Sequence, residues 1–462
     1  MKTKYLNYTR RYFYLFWGAV LLVSCEGFTD VDLPQTQLTQ PSVFNDPSTA
    51  EAALASAYAS LRENGVAAGN TFSAPSLLAN YSDDLDYYGS DIELEQFNRH
   101  NVIASNSLLY SLWNTSYNTL YQVNAIIEGM EASTSMSGER RDGILGEAYF
   151  LRAFVHSYLT GIFGDIPYVS GTDYRANSTI TRTLQTQVWD NIKADLTRAE
   201  ALLPAGYASQ ERVRVNKAAA RALMARTCLY TGAYQLAEQY ATLVLEDAQY
   251  ALVGDLDSVF LKDSPGIIWA LHPGLTGLNT QDAATYIITE TPPLRPALSQ
   301  GLYNSFESGD QRREHWTKSI TDGSQAWHYA FKYKVPYYSD SSQEYTVVLR
   351  IEEQYLIRAE ARLAQSNLGG AKEDLNTIRH RAGLADTPAG TTSGLLEAIL
   401  AERRHEFFTE QGHRWLDLKR TGTASEILAP IKPGWQPTDI LFPIPEKEML
   451  LNPNLLPQNP GY

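Results

Sequence analysis

Cysteine is scarce in this sequence, because Cys25 and Cys228 are the only two among 462 residues. A disulfide framework needs several cysteine pairs, so disulfides cannot be what stabilises this protein. Cys228 lies in an apolar run, where a small buried thiol is the expected role for a cysteine. The fold must therefore depend on a packed core and on polar contacts.

Positive charge is also in short supply. Lys and Arg number 38 against 52 Asp and Glu, which gives a formal net charge of −14. A chain this acidic is repelled by the phosphates of nucleic acid and by anionic membrane surfaces. We therefore expect no nucleic acid partner.

No apolar run in the sequence reaches the ~20 residues that a membrane-spanning helix needs. A shorter run, roughly Tyr12 to Val23, follows four basic residues, and this layout is typical of a secretory signal. Its end, Leu22-Val23-Ser24-Cys25, resembles the bacterial lipobox, in which the leader is removed and the cysteine is lipidated. The resemblance predicts a leader over residues 1–24 and a lipid anchor at Cys25. A plain signal peptide is the alternative.

Behind this anchor, residues 25–40 are predicted to form a flexible tether. The rest of the chain predicts paired amphipathic helices and no strands, so the fold class is all-α, mainly helical. We divide it into an N-terminal half, 41–265, and a C-terminal half, 266–462, which together form one compact unit. The predicted helices are Pro47–Glu63, Ser107–Glu131, Gly138–Gly161, Leu184–Leu203, Asn216–Thr231, Tyr234–Asp247, Val347–Gln365, Gly370–Ala382 and Gly394–Arg420.

Some of these helix pairs resemble one another. Gly232–Tyr240 has the spacing of Gly, aromatic, Ala and Tyr found where the two helices of a tetratricopeptide repeat turn and pack, and Gly370–Asn376 repeats it more loosely. Small residues let helix backbones approach, and aromatic residues fill the grooves between pairs. We expect about four irregular tetratricopeptide-like pairs in a curved scaffold, with long loop-rich insertions that carry the function.

Several motifs occur in a fixed order along the sequence. They are Glu147–Phe154, Phe163–Tyr168, Val348–Ala361, Asn376–Leu384, Glu402–Phe408, Gly412–Arg420, Leu441–Pro445 and Asn459–Tyr462. Together these motifs resemble the SusD/RagB family of outer-membrane nutrient-binding lipoproteins over nearly the whole mature chain. Acidic residues behind Cys25 also resemble the signal that sends lipoproteins of Bacteroidetes-type bacteria to the cell exterior.

The resemblance implies a function and a partner. Members of this family act as lids on a SusC-like TonB-dependent transporter barrel in the outer membrane. They bind an oligosaccharide, or sometimes a peptide, and deliver it to the pore without changing it chemically. The implied protein needs no cofactor and is not an enzyme.

Two segments outside the helix pairs combine aromatic with polar side chains, as a sugar-binding site requires. One spans Asn80–Gly89 and the other Arg295–Tyr338. The alternative is that most of these aromatic residues pack the loops against the scaffold. A calcium site at Asp83, Asp84 and Asp86 is a weaker alternative, because the spacing of a calcium loop is missing. The candidate ligand-binding residues are Asn80, Tyr81, Asp86, Tyr87, Tyr88, Trp316, Trp327 and Tyr337.

The charged motifs near the C-terminus predict structural rather than catalytic roles. We expect Arg403, Arg404 and Arg414 to form bidentate contacts that lock their helix to its neighbours. His405-Glu406 lacks the second histidine of a zinc protease. His413 and Asp417, one helical turn apart, predict a hydrogen-bonded packing pair, and a metal site or relay is less favoured.

We therefore predict no catalytic residues and no metal site. Two other classes of function stay open at this point. One is glycoside hydrolysis on a helical scaffold, which needs two carboxyl groups about 5–10 Å apart beside a cleft. The other is a scaffold for protein assembly, suggested by the repeat-like helices.

Overall fold

The computed structural model of the protein describes residues 40–462. The predicted leader, Cys25 and all of the predicted tether except Gln40 lie outside the described residues. The helices are α1 Gln40–Asn45, α2 Pro47–Asn64, α3 Ala74–Tyr81, α4 Ile92–Arg99, α5 Ser107–Ala132, α6 Glu139–Phe163, α7 Tyr174–Asn177, α8 Gln185–Leu202, α9 Lys217–Tyr230, α10 Tyr234–Leu245, α11 Gln281–Tyr286, α12 Gln300–Ser305, α13 Gln311–Trp316, α14 Ile351–Ala364, α15 Leu368–Arg381, α16 Thr392–Phe407, α17 His413–Arg420, α18 Ala424–Leu428 and α19 Glu446–Leu451.

The predicted mainly helical fold is confirmed. The long helices form a row in which each packs against the next, in the order α2, α5, α6, α8, α9, α10, α14, α15 and α16. Asp46 caps α2, since its side chain accepts hydrogen bonds from the Ser48 and Thr49 amides. Between α9 and α10 the chain turns at Gly232, whose φ of +71° favours glycine.

A large core runs through this helix row from α2 to α14, and a separate cluster packs α14, α15 and α16 together. The indole of Trp269 is fully buried and packs edge-on against Phe150 and Phe154 of α6, with ring centroids 5.2 and 5.0 Å apart. Residues of the C-terminal half, such as Trp415 and Phe442, belong to the same core. The two halves of the chain therefore share one hydrophobic interior.

The sequence predicted no strands, and that prediction is wrong. The strands are β1 Leu85–Asp86, β2 Ile267–Leu271, β3 Ala297–Leu298, β4 Thr317–Thr321, β5 Ala326–Ala330 and β6 Thr346–Arg350. Strand β6 occupies the start of the predicted helix Val347–Gln365 and pairs antiparallel with β2. Its β-branched residues are all buried, which favours a strand over a helix at this point.

The predicted helix Gly394–Arg420 is also corrected, because it is broken between α16 and α17. In a continued helix the carbonyls of Glu406 and Phe408 would accept from amides four residues later. Instead the Lys332 ammonium donates to both carbonyls, at 2.8 and 2.9 Å. Thr409 and Gly412 turn the chain with φ of +60° and +71°. A tertiary contact thus ends the helix where its sequence would continue.

The same region contains a network of buried ion pairs around Glu406. The guanidinium groups of Arg312 and Arg350 lie 3.0 and 2.6 Å from the Glu406 carboxylate, and Arg381 also contacts it. Burial alone raises the pKa of Glu406, but the three guanidinium groups lower it more, so its pKa lies well below the usual range. Because the three arginines come from α13, β6 and α15, Glu406 joins elements that are far apart in sequence.

We expect Glu406→Gln to lower the free energy of unfolding by about 3–5 kcal/mol, because it leaves three buried guanidinium groups around a neutral amide. Urea unfolding followed by circular dichroism measures the change. Glu397→Gln, at an exposed position of the same helix, is the matched control and should unfold like the unmodified protein. Equal stability of both variants would contradict the role of Glu406.

Candidate functional site

A four-stranded antiparallel sheet, in the order β1, β3, β5, β4, brings together the two segments that were predicted to bind ligand. Leu85 of β1 pairs with Leu298 of β3, and Leu298 pairs with His328 of β5. Side chains alternate along a strand, so Trp327 and Tyr329 project from the face opposite to His328. The pairing places Trp327 close to the turn that follows β1.

In that turn, the Tyr88 ring lies edge-on to the indole of Trp327, with ring centroids 6.3 Å apart and an interplanar angle of 84°. Tyr88 is 43% exposed, whereas Trp327 is largely buried against Ile288 and Ala297. Ile320 and Tyr329 pack against the same small cluster. We refer to Tyr88, Leu294, Ile320, Trp327 and Tyr329 as the Tyr88 surface.

Leu294 belongs to this surface because its own backbone lies close to Gly89 in the turn that carries Tyr88. A Cβ atom at Gly89 would lie 2.7 Å from the Leu294 carbonyl oxygen, so only glycine permits this approach. The Leu294 side chain is itself 59% exposed. An exposed ring and an exposed aliphatic group thus lie near each other on one part of the molecule.

The indole nitrogen of Trp327 adds a polar group to the Tyr88 surface. This Nε1 atom is buried and has no hydrogen-bond partner within residues 40–462. A buried donor without a partner is costly, and folded proteins contain few of them. Because the atom is buried, a ligand hydroxyl group could reach this N–H only after a local rearrangement.

Asp86 supplies a carboxyl group near the start of the same turn. Burial raises its pKa, and the nearby Lys432 ammonium opposes that rise. Lys432 is itself buried, its Nζ lies 3.3 Å from the Leu85 carbonyl oxygen, and burial lowers its pKa to about 8. Asp86 therefore provides a hydrogen-bond acceptor close to the Tyr88 ring.

Tyr87, another predicted ligand-binding residue, braces the turn. Its hydroxyl accepts a hydrogen bond from the Asp91 amide at 2.9 Å, just before α4 begins. The side chain is half-buried and packs against the main core. Its contacts place Tyr87 beneath the turn that presents Tyr88.

Three of the predicted ligand-binding residues lie in the core, and for them the prediction is wrong. Asn80, Tyr81 and Trp316 are each at most 1% exposed, which leaves no surface for a ligand. The Tyr81 hydroxyl donates to the Asp439 carbonyl at 2.9 Å, and the Trp316 indole N–H donates to the Leu256 carbonyl at 2.9 Å. Their polar groups are satisfied by the fold itself.

Tyr337 does not join the Tyr88 surface. It lies on the loop between β5 and β6, is 68% exposed, and makes no ring contact with another aromatic residue in the described part of the chain. Its backbone carbonyl accepts a hydrogen bond from the Asn279 side chain. The structure therefore divides the predicted aromatic set into buried residues, the Tyr88 surface and a separate loop.

Comparisons with known proteins agree with this architecture. A family described as starch-binding and associating with the outer membrane, SusD-like, matches residues 29–229. The SusD family matches residues 299–436. The chain belongs to the SusD/RagB family. The order of the two matches is the order of the motifs along the sequence.

Curated relatives of this SusD-family chain include two SusD-like proteins of Formosa agariphila. SusD-like protein P2 is 26% identical and is aligned over 96% of this chain and 98% of its own length. SusD-like protein P25 is 21% identical over 95% of this chain and 97% of its own length. The similarity therefore extends over essentially the whole length of both proteins.

Solved structures share the fold. A SusD superfamily protein from Bacteroides vulgatus has a TM-score of 0.80 at 23% identity, covering 90% of this chain and 99% of that one. A laminarin-binding SusD-like protein has a TM-score of 0.75 at 22% identity, covering 90% and 99%. None of the helices in the described residues is both long and apolar enough to cross a lipid bilayer.

Of the bidentate contacts predicted for the SusD motif near the C-terminus, that of Arg414 is present, whereas Arg404 contacts two different carboxylates and Arg403 makes a single hydrogen bond. Arg414 binds the Asp83 carboxylate through two nitrogens, at 2.6 and 2.9 Å. Arg404 contacts Asp83 at 2.8 Å and Asp84 at 3.2 Å, and Arg403 contacts Asp417 at 2.7 Å. The calcium alternative loses two of its three carboxylates, because Asp83 and Asp84 already pair with guanidinium groups.

The predicted hydrogen bond between His413 and Asp417 is absent, and that prediction is wrong. Asp417 instead accepts from Arg403 and Arg420, at 2.7 and 2.8 Å. The His413 ring packs against Phe407, with ring centroids 4.8 Å apart. Arg403 of α16 and Arg420, three residues further along α17, therefore compete successfully with His413 for Asp417.

His405 lies beside Ser305, with Nε2 2.9 Å from the serine hydroxyl oxygen. Burial lowers the pKa of His405 to about 3, and nearby guanidinium groups such as Arg312 lower it further. An imidazole with so low a pKa is a weak proton acceptor, so this pair is poorly suited to activate a nucleophile at neutral pH.

Sequence reasoning missed Leu294, Ile320 and Tyr329. Alternation along Trp327-His328-Tyr329 was a signal that could have placed Tyr329 beside Trp327 on a strand face. Leu294 carries no such signal, because it reaches the surface through an irregular proline-rich segment. Only the close approach of that segment to Gly89 in the folded protein assigns Leu294 to the Tyr88 surface.

We expect Tyr81→Phe to lower the free energy of unfolding by about 1 kcal/mol, because it removes one buried hydrogen bond to the Asp439 carbonyl. Glycan affinity measured by calorimetry should stay the same, since Tyr81 is in the core. Tyr88→Phe, at the exposed neighbouring site, is the comparison and should leave stability unchanged. A loss of affinity in Tyr81→Phe without a loss of stability would contradict the reassignment of Tyr81 to the core.

Proposed function

We propose that this SusD-family protein captures a glycan on the Tyr88 surface and passes it, chemically unchanged, to a transporter. The observation that carries the proposal is the exposed Tyr88 ring, held edge-on against the buried indole of Trp327. Sugar rings have C–H faces that stack on aromatic rings and hydroxyl groups that need polar partners. Tyr88, Leu294 and Asp86 offer both kinds of contact.

Neutral glucose polymers are the ligand class that we favour. The description of the matching family names starch, and one of the related structures binds laminarin. Asp86 can accept hydrogen bonds from sugar hydroxyl groups and does not require a charged ligand. We therefore choose starch and laminarin, with their hexasaccharides, as the first ligands to test; a peptide is the alternative ligand.

For delivery, we propose that the protein acts as a lid on a SusC-like TonB-dependent barrel in the outer membrane. The lipobox-like segment ending at Cys25 and the family support this role. A lipid anchor and tether would keep the lid beside its barrel at a high effective concentration even while the lid is open. Anchoring would place the protein at the outer membrane, facing the cell exterior.

Tyr88→Ala tests the binding site. We expect the affinity for the glucan that the unmodified protein binds to fall about tenfold, because one stacking ring and its cluster with Trp327 are lost. Calorimetry with each hexasaccharide measures it. Tyr174→Ala is the matched control, since Tyr174 is exposed on α7, outside the Tyr88 surface.

An unchanged affinity in Tyr88→Ala would contradict this site. Shortened oligosaccharides after long incubation with the unmodified protein would favour glycoside hydrolysis instead. Peptide binding without glycan binding would contradict the ligand class that we propose.

Cys25→Ala tests the proposed anchor. We expect glycan affinity of the purified protein to stay the same, because the Tyr88 surface lies in residues 85–329, whereas uptake of the glycan by cells should fall. Uptake of a labelled glucan by cells that express each form measures the effect. Cys228→Ala, which changes the other cysteine, is the control and should not reduce uptake. Equal uptake by the Cys25→Ala form would contradict the role of the anchor.

A further inference from the structure

A second exposed aromatic feature lies on the loop Lys334–Glu344, between β5 and β6. Its consecutive residues Tyr337 and Tyr338 are 68% and 69% exposed. Exposed single hydrophobic side chains are common on protein surfaces, but two adjacent tyrosines at the tip of one loop form a larger unit.

The ends of this loop are held together by a buried carboxylate. Glu344 is 2% exposed, and its side-chain oxygens accept hydrogen bonds from the Lys334 amide, at 2.8 and 2.9 Å, and from the Val335 amide, at 3.0 Å. These contacts close the loop at its base.

Asn279 braces the tip of the loop from a neighbouring segment. Its side-chain nitrogen donates to the Tyr337 carbonyl at 2.9 Å and to the Ser339 hydroxyl at 2.8 Å. Its side-chain oxygen accepts from the Gln343 and Glu344 amides, at 2.7 and 3.0 Å. One nearly buried side chain thus forms four hydrogen bonds that define the loop.

The backbone of Gly277 completes the support. Its carbonyl accepts from the Ser339 amide at 2.9 Å, and its amide donates to the Ser342 hydroxyl at 3.0 Å. A Cβ atom at Gly277 would lie 2.8 Å from the Ser339 carbonyl oxygen and 3.7 Å from the Tyr338 ring. The Tyr338 ring therefore lies beside the Gly277 backbone, and Leu275 on the same segment is 62% exposed.

This bracing fixes the backbone that carries two rings, and these rings contribute little to the core. Ordering a loop costs conformational entropy, and the burial of these exposed rings offsets little of that cost. Aromatic side chains that are held rigid before binding lose little further freedom when a ligand arrives. The arrangement has the physical character of a preformed contact site.

We infer that the Lys334–Glu344 loop is a second glycan contact, separate from the Tyr88 surface, and that it strengthens the binding of long chains. The inference rests on the proposed glycan-binding function. Trp327 and Tyr337 are ten residues apart, a stretch that spans at most about 36 Å when fully extended. A polymer can therefore reach both contacts.

The size and charge of the feature favour a glycan over a protein. A stable protein interface buries roughly 800 Å² on each partner, across some 20–30 residues. The loop Lys334–Glu344 and the segment 275–279 that supports it expose only Leu275, Tyr337 and Tyr338 as large hydrophobic groups. Its one basic residue, Lys334, is already paired with Asp257. Two neutral rings suffice to stack on sugar units.

The test compares polymer with oligosaccharide in a double variant, Tyr337→Ala with Tyr338→Ala. We expect its affinity for laminarin or starch to fall at least about fivefold, while its affinity for laminarihexaose or maltohexaose stays the same, because only the polymer uses both contacts. Calorimetry on the purified full-length protein measures both. Asn279→Ala, which releases the loop without removing a ring, should also weaken polymer binding selectively.

Tyr174→Ala, at a tyrosine of similar exposure on α7, is the matched control and should bind like the unmodified protein. Polymer affinity that is unchanged in the double variant, while the unmodified protein binds normally, overturns this inference alone. Equal losses for polymer and hexasaccharide also overturn it, because the two contacts would then not be separate. If the unmodified protein binds no glycan, the proposed function fails and this inference fails with it.

Discussion

The buried carboxylate of Glu406 is the point on which the C-terminal half of this molecule depends. It accepts contacts from guanidinium groups of α13, β6 and α15, which approach one another only in the folded chain. Removing charges from water costs several kcal/mol each, so such a cluster is favourable only when every partner is in place. This requirement makes the network specific to one arrangement of the helices and strands.

Glu406 lies on α16, and further charged contacts of this helix extend toward the Tyr88 surface. On α16, Arg404 pairs with Asp83 and Asp84, just before β1. The backbone carbonyl of Asp84 accepts from the Ser299 amide at 2.8 Å, which ties β1 to the segment after β3. Lys332 joins the end of β5 to the break that follows α16. The turn that presents Tyr88 and the strand that carries Trp327 are therefore positioned by one set of ion pairs.

The aromatic residues of this chain divide according to the support that they receive. Trp269, Trp316 and Trp415 fill the core, and their burial stabilises the fold. Tyr88 is exposed beside Trp327, on a sheet held by the contacts described above. Tyr337 is exposed on a loop fixed by Asn279. In both places, a rigid frame of hydrogen bonds and ion pairs presents a ring to solvent, which is the arrangement that we propose for glycan binding.

The sequence alone determined the helical class, the helix pairs, the family and the arginine contacts, because these follow from local periodicity and from ordered motifs. Tertiary structure decided which aromatic residues are exposed. Tyr81 and Tyr88 are seven residues apart and similar in sequence context, yet one is in the core and the other is at the surface. Tyr81 lies on α3 and packs against Trp415 and Phe442, whereas Tyr88 follows β1, whose Leu85 pairs with Leu298 more than 200 positions away. The strand β6 and the break after α16 were missed for the same reason, since both depend on partners that local patterns do not contain.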